Sequence, residues 1–461
     1  MTRLLSQFAE ACGGVLRGTD RPFAGVSTDS RKIGRGELFV ALRGPRFNGN
    51  EFVAAAHAAG AAGAVVDSAQ DFDLPQIIVP DTLDALTRAA AAWRARFTIP
   101  VIGVAGSNGK TTVKEMIASI LWQVGPTLAT QGNLNNHIGV PLTLLRLEAE
   151  QRFAVIEIGA NRAGEVAQLV GIARPDIGIV TNAGAEHLEG FGSIEGVARA
   201  EGEMFAGLAA SATAIVNADD AFAELWRGMS RARIVSFGRS AQADVRAEDI
   251  DMQIAGDGYR TEFALIAPQG RTTVQLRLAG MHNVVNALGA AAAALAADAP
   301  LDSISRGLAA MRPVAGRLQF KVTPRGAWLV DDSYNANPSS MRAGIEVLAS
   351  LSGRRWLAIG DMAELGSFAE RSHVEIGEFA RERGIERLFA TGALAALAAE
   401  SFGKGAEWYP DTDSLARAID RQLAPDVRLL VKGSRSNRLE RVVEFLVAAP
   451  PNGAASQRKA G

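Results

Sequence analysis

The sequence predicts an α/β protein of three domains: a small mixed α/β N-terminal domain, a central domain with a mostly parallel sheet flanked by helices, and a C-terminal α/β domain. Three observations lead there. The chain has 461 residues, and at roughly 150 residues per domain that makes about three. Short apolar runs alternate with stretches of helical spacing from about residue 100 onward, the pattern of a parallel sheet covered on both faces. One apolar run leads directly into a glycine-rich turn and a helix at 101–116.

The elements justify this in order. Residues 1–83 carry short apolar runs split by glycines (GELFVALRG, AGAVV) and one Ala-rich helical stretch, FVAAAHAAGAAG. VPDTLDALTRAAAAWRARF reads as a capped helix starting near Asp81 or Thr82. The central domain, 84–312, then alternates the strands IPVIGVAGS, FAVIEIG, IGIVTN and TAIVN with helices at GEVAQLVGIA, 193–209 and 219–228. An insertion with period-2 texture follows (DVRAEDIDMQIAGDGYRTEFALI, TTVQLRL), and an Ala-rich helix after GMHNVVN closes the domain. Residues 313–449 repeat the alternation with WLVDD, RWLAIGD, RLFATG and RLLVKG, which predicts a Rossmann-like domain. The segment 450–461 reads as a flexible polar tail.

Composition narrows the function classes. Lys plus Arg is 48 and Asp plus Glu is 50, a formal charge of -2, so no strongly basic nucleic-acid footprint exists. Hydrophobic content of 48% with 21% charge excludes a wholly disordered chain. The single cysteine, Cys12, excludes an internal disulfide and a Cys-rich metal finger, and fits a reducing compartment. The N-terminal stretch is too broken by Arg3 and Glu10 for a signal peptide, and no run is long and apolar enough to span a bilayer. A cytoplasmic protein acting as a monomer, without membrane insertion and without nucleic acid, is the expectation.

Chemistry concentrates in five places. In Gly106-Ser107-Asn108-Gly109-Lys110-Thr111-Thr112, the glycines let backbone N–H groups curl around an anion and the helix N-terminus adds its dipole. Lys110 suits β- and γ-phosphates, and Thr111 offers a hydroxyl to Mg²⁺. Val104 stands where the usual phosphate-loop pattern has its first glycine, yet the strand-loop-helix context holds. Glu157 ends a strand, where an acid holds a divalent cation or is simply solvated. His187 follows a strand in a Gly-rich loop among Glu186, Glu189, Glu195, Glu201 and Glu203, acids that equally fit a solvated helix face. Asn283 and Asn286 share a face at a helix start, fit for an adenine edge or a cap. Asp331 and Asp332 end WLVDD before an Asn-Pro turn, a place for a ribose hydroxyl, a metal or only a turn; GDMAELG at 360–366 is a similar strand-end loop.

Together these motifs resemble the Mur ligase family of ATP-dependent amide-forming enzymes. The order is G-S-N-G-K-T-T, N-L-N-N-H-I-G-V-P, E-I-G-A, N-A-G-A-E-H-L, H-N-V-V-N, D-D-S-Y-N-A-N-P and G-D-M-A-E-L-G, spread over nearly the whole chain. The last two look like the member that adds D-alanyl-D-alanine to UDP-N-acetylmuramoyl-tripeptide; the D-N-P-R of the diaminopimelate-adding relative is absent. The resemblance implies ATP and Mg²⁺ as cofactors, and those two compounds as substrates joined through an acyl phosphate in peptidoglycan precursor synthesis. It implies that Gly106 to Thr112 bind the phosphates and that Asn283, Arg317 and Asp331 contact the nucleotide. Lys110 and His187 are then catalytic, and Thr111, Glu157, His187 and Glu201 hold metal. Ser27, Asp29, Ser30 and Arg31 (STDSR) would recognise the uridine sugar, and Asn135 and Asn136 the substrate in the cleft.

Two departures stand out. Glu201 lies in A-E-G-E where related ligases carry A-K-G-E, whose lysine is carbamylated in several; either a permanent carboxylate here replaces that modification, or position 201 is simply a tolerant helix site. FNGNEF replaces F-D-G-H-x-F, so Asn48 keeps hydrogen bonding without charge. Two rivals remain: another amide ligase of the family or a folylpolyglutamate synthase-like enzyme, and a non-ligase phosphate-loop ATPase.

Overall fold

The computed structural model describes residues 3–45, 47–255 and 258–448; the expected tail at 450–461 lies outside the described residues. The mixed α/β class is borne out. Three larger sheets follow one another along the chain, with a small antiparallel insertion between the second and third.

The first sheet has five strands in the order Val15–Arg17, Gln76–Ile78, Gly63–Val66, Leu38–Val40, Val26–Ser27, antiparallel only at the first pairing. The expected Ala-rich helix is short, Val53–Ala58, because Gly60 turns the chain at φ +91° and the following residues pass into a strand. Asp81 caps the next helix, Thr82–Arg94, by accepting from Leu83 and Asp84 N–H, as its position before the apolar period predicts. This helix ties the first sheet to the second. Arg3 lies over the Trp93 ring at 4.3 Å and donates to the Leu147 carbonyl and to Glu148 Oε1, each at 3.0 Å, so its buried charge is met by central-region groups.

The second sheet is fully parallel, in the order Thr127–Ala129, Phe153–Glu157, Val101–Ala105, Ile177–Val180, Thr213–Asn217, Arg233–Phe237. Its four middle strands are buried at every residue, as a sheet covered by helices on both faces requires. The register sets Val104 beside Glu157 and Ala105 beside Val180. The loop after Ala105 therefore leaves the sheet between Glu157 and Thr181, at the strand C-termini where open α/β sheets bind ligands. The insertion forms three antiparallel strands, Arg246–Ala255, Gly258–Ala267 and Gly270–Leu276, and the helix Met281–Ala296 follows.

The third sheet runs Gln319–Val322, Trp328–Asp332, Val427–Lys432, Arg354–Ile359, Arg387–Thr391, Ala406–Tyr409. Only its first pairing is antiparallel. Asp332 and Lys432 end adjacent strands in register, and their side chains pair at 2.7 Å. Among the described residues, no helix is long and apolar enough to cross a membrane.

Candidate active site

The C-terminal ends of the second and third sheets enclose a cavity of about 590 Å³. Its floor is the loop 106–109 and the start of the helix Lys110–Trp122. Gly106 has φ +119° and Gly109 φ +84°, values that L side chains rarely adopt. A Cβ at Gly106 would lie 2.2 Å from Thr181 Oγ1, and one at Gly109 2.6 Å from Asn286 Oδ1. Both positions thus require glycine for conformation and for space. The first-turn amides of the helix have no intrahelical acceptor, so the loop presents N–H groups and a positive dipole end.

Lys110 Nζ donates to the Ser107 carbonyl at 3.2 Å, to the Gly106 carbonyl, and to Glu186 Oε1 at 3.1 Å. Burial opposes its charge, but Glu186, Glu201 and Glu157 outweigh that and raise its pKa. Burial pushes Glu186 up to about 7, with Lys110 pulling against it. Three carboxyl groups thus crowd one ammonium, and burial holds two of them, Glu186 and Glu201, toward the neutral form.

Glu157 is 2% exposed. Its Oε1 accepts from Thr111 Oγ1 at 3.2 Å and from Asn135 Nδ2 at 2.9 Å. Among the described residues its Oε2 has no partner. A buried, bare carboxylate oxygen is costly unless a cation meets it, so Glu157 and Thr111 fit a hard divalent ion. Arg317, from the third region, donates to Thr111 Oγ1 at 3.2 Å and lies over the Tyr334 ring at 4.5 Å.

Of the residues singled out from the sequence, Ser107 to Thr112, Asn135, Asn136, Glu157, His187, Asn283 and Arg317 line this one cavity. Several expectations need correction. Asp331 faces away from the cavity: it accepts from Lys321 Nζ at 2.8 Å and from Ser333 Oγ at 2.6 Å, while Asp332 lines the wall. Adjacent residues of a strand point to opposite faces, so only one acid of the pair can look inward. Glu201, 1% exposed, does not line the cavity; its Oε2 accepts the Gly106 N–H at 2.7 Å. The Glu201 carboxylate braces the loop from beneath. Among the described residues no group of three or more His, Cys, Asp or Glu side chains converges on a metal position. Of the four residues expected to hold metal, Thr111, Glu157 and His187 line the cavity and Glu201 does not. His187 pairs through Nδ1 with Glu364 of the third region. Asn283 Nδ2 donates to the Ala279 carbonyl at 2.7 Å and its Oδ1 accepts from Asn286, so most of its capacity is spent internally. Asn136 Oδ1 accepts from the N–H groups of Ile138 and Gly139, just before and at the start of the short helix Gly139–Leu144.

Ser27, Asp29, Ser30 and Arg31 form a separate loop on the first sheet and do not line the cavity. Asp29 and Arg31 pair there at 2.9 Å, and the Ser27 hydroxyl accepts from the Asp29 N–H at 3.2 Å. Asn48 accepts from Asn50 N–H at 3.1 Å and caps the turn Gly49–Phe52. The sequence reading missed Asn182, Tyr334, Asn337, Ser339 and Lys432, all of which line the cavity. Asn182 opens the quoted N-A-G-A-E-H-L, and Tyr334 and Asn337 lie in D-D-S-Y-N-A-N-P, but nothing local in those motifs says which of their side chains face a cavity.

His282 stands in the cavity wall. Burial pushes it down to about 4; Asp332 pulls upward and Lys432 downward. Its ordinary value is 6.5, so between 6.5 and 4 the unfolded chain binds the proton that the folded chain refuses. The stability that neutral His282 preserves is present above 6.5 and is lost as pH falls toward 4, by up to about 3 kcal/mol. Thermal midpoints recorded across that window should fall with acid, and the fall should be smaller in His282→Gln. Parallel profiles for the two proteins would refute this.

Three family models match the chain: the Mur ligase family catalytic domain over 22–98, the Mur ligase middle domain over 104–294, and the Mur ligase glutamate ligase domain over 316–435. The UDP-N-acetylmuramoyl-tripeptide–D-alanyl-D-alanine ligase of Escherichia coli (strain K12) is 45% identical over 446 residues, 96% of this chain and 98% of that one. The crystal structure of MurF from Acinetobacter baumannii superposes with a TM-score of 0.91 at 34% identity, covering 97% of this chain and 99% of that one. MurF ligase from Thermotoga maritima in complex with ADP gives a TM-score of 0.80 at 27% identity, covering 92% of this chain and 96% of that one. Models spanning most of the chain and a relative of this identity and coverage lead to one statement: this chain belongs to the Mur ligase family.

Proposed function

We infer that this chain is an ATP-dependent ligase that joins D-alanyl-D-alanine to UDP-N-acetylmuramoyl-tripeptide, forming ADP and phosphate. The carrying observation is the cavity between the second and third sheets: a phosphate loop with its lysine on one wall and Arg317, Asp332 and Lys432 on the other. The full-length similarity to a D-alanyl-D-alanine-adding ligase supports the substrate assignment, and the ADP-bound relative supports ATP.

A carboxylate is a poor acyl donor because its leaving group would be oxide. The tripeptide carboxylate attacks the γ-phosphorus, ADP departs, and an acyl phosphate results. The amine of the dipeptide then attacks the acyl carbon, and phosphate leaves with the C–O bond electrons. The approach of two anions in the first step is what the site must make affordable. The loop amides and Lys110 take the phosphate charge; to do so, Lys110 exchanges the Ser107 carbonyl and Glu186 for phosphate oxygens. Thr111 and Glu157 are the residues to hold Mg²⁺, which when bound neutralises phosphate charge. Arg317 fixes the Thr111 hydroxyl. Asp332 is the acid for the ribose, in place of Asp331. Asn135 holds Glu157 in orientation. Glu364 on Nδ1 of His187 selects the tautomer with Nε2 as acceptor, suited to the proton lost by the attacking amine. The loop 27–31, with Asn48, is the proposed anchor for the UDP-sugar, and the third region carries the dipeptide.

The deciding assay is phosphate release with ATP and Mg²⁺, adding UDP-N-acetylmuramoyl-tripeptide and D-alanyl-D-alanine separately and together. Release that needs both, with a pentapeptide product by mass, is the expected result. Release with neither would overturn the ligase assignment, and release with a different amine would change the step within the family.

A further inference from the structure

We propose that Asn337 and Ser339 are positioning residues for the ligation, locking the phosphate loop to the third region through the side chain of Asn108. This rests on the ligase reading above. Asn108 sits at the crest of the loop, and the central region consumes its backbone completely. Its N–H donates to Asn182 Oδ1 at 3.1 Å, and its carbonyl accepts from Thr181 Oγ1 at 2.6 Å and Asn182 Nδ2 at 2.9 Å. The amide side chain is left over, and the third region takes both of its ends. Asn337 Nδ2 donates to Asn108 Oδ1 at 2.8 Å; Asn108 Nδ2 donates to Ser339 Oγ at 3.0 Å. Ser339 Oγ in turn donates to Asn337 Oδ1 at 3.1 Å. The three side chains close a ring of hydrogen bonds across the seam between two sheets more than two hundred residues apart in sequence.

Two further observations mark the ring as a built feature. Gly184 passes beneath it, and a Cβ there would come within 2.9 Å of Ser339 Oγ and 3.0 Å of Asn108 Nδ2. Asn337 also does a second job: its Oδ1 accepts the Ser340 N–H at 2.8 Å and caps the helix Pro338–Ala349. Its oxygen starts a helix of the third region while its nitrogen grips the phosphate loop. The helix start is thereby indexed to the loop crest. Hydrogen bonds weaken steeply as they lengthen or bend, so this ring forms at one relative placement of the two regions. The reaction needs such an index, because the acyl phosphate forms over the loop and the amine arrives from the other side. Near-attack geometry tolerates errors well under an ångström or so.

The two jobs of Asn337 separate cleanly. Serine is as good a helix cap as asparagine, but its hydroxyl is too short to reach Asn108. The Asn337→Ser, Ser339→Ala double variant should keep the wild-type thermal midpoint and bind ADP within about twofold of wild type, measured calorimetrically. Its kcat at saturating substrates should fall about tenfold with KM for ATP unchanged. Unchanged kcat would overturn the proposal. So would ADP affinity falling in step with kcat, since the residues would then be nucleotide contacts. If the double variant loses stability, Ser339→Ala alone, at an exposed helix position, carries the same kcat test. If the unaltered protein makes no pentapeptide, the ligase reading has failed, and hydrogen exchange then judges the ring. The amides of 106–109 should exchange faster in the double variant, and equal exchange would overturn the proposal.

Discussion

Replacing Lys110 by methionine is expected to lower kcat/KM for pentapeptide formation by about a thousandfold, the scale seen when a preorganised charge at a transition state is removed. The environment makes the loss large. Lys110 is the ammonium around which Glu157, Glu186 and Glu201 are disposed, and methionine fills similar volume while leaving those carboxylates to face the incoming phosphates. The first step then brings carboxylate and phosphate together without the ammonium between them. Binding of UDP-N-acetylmuramoyl-tripeptide, measured calorimetrically, should survive, because its proposed anchor at 27–31 lies on another sheet. A variant retaining a tenth or more of wild-type kcat/KM would remove Lys110 from the mechanism.

Glu157→Gln should move function and stability in opposite directions. The bare Oε2 of Glu157 costs the apo protein free energy, and a neutral amide relieves it; the thermal midpoint without metal should rise by a few degrees. With ADP present, Mn²⁺ affinity read by electron paramagnetic resonance should fall on the order of a hundredfold, since the hard anionic ligand is gone. Glutamine keeps an oxygen for Thr111 and Asn135, so the loop itself should not move. A variant that loses stability and keeps Mn²⁺ affinity would show Glu157 to be a structural acceptor instead.

The contrast between what was and was not legible follows from range. The phosphate loop reads directly because strand, glycines, lysine and helix are contiguous, and each demands a particular residue type locally. Asp81 reads as a cap for the same reason. The choice between Asp331 and Asp332 was beyond local reading: alternation says that they diverge, but which faces the cavity depends on the ladder with Val427–Lys432. Glu201 depends on range as well. Its position in the chain suggested a metal ligand, but a glutamate arm is shorter than a carbamylated lysine, and here its carboxylate meets the Gly106 N–H instead. Asn337 looked like an ordinary cap, and its second partner lies on another sheet.

The seam itself has a consequence for how the molecule can be taken apart. One wall of the cavity belongs to a sheet whose apolar core runs on into the first sheet, and the facing wall to another sheet with cores largely of its own. Taken apart, neither piece would contain a nucleotide site. The central piece would keep the loop and lose Arg317, Asp332 and Lys432; the third would keep those and lose the loop. A nucleotide seated between them is mortar as well as fuel: it joins the two walls that its own binding needs.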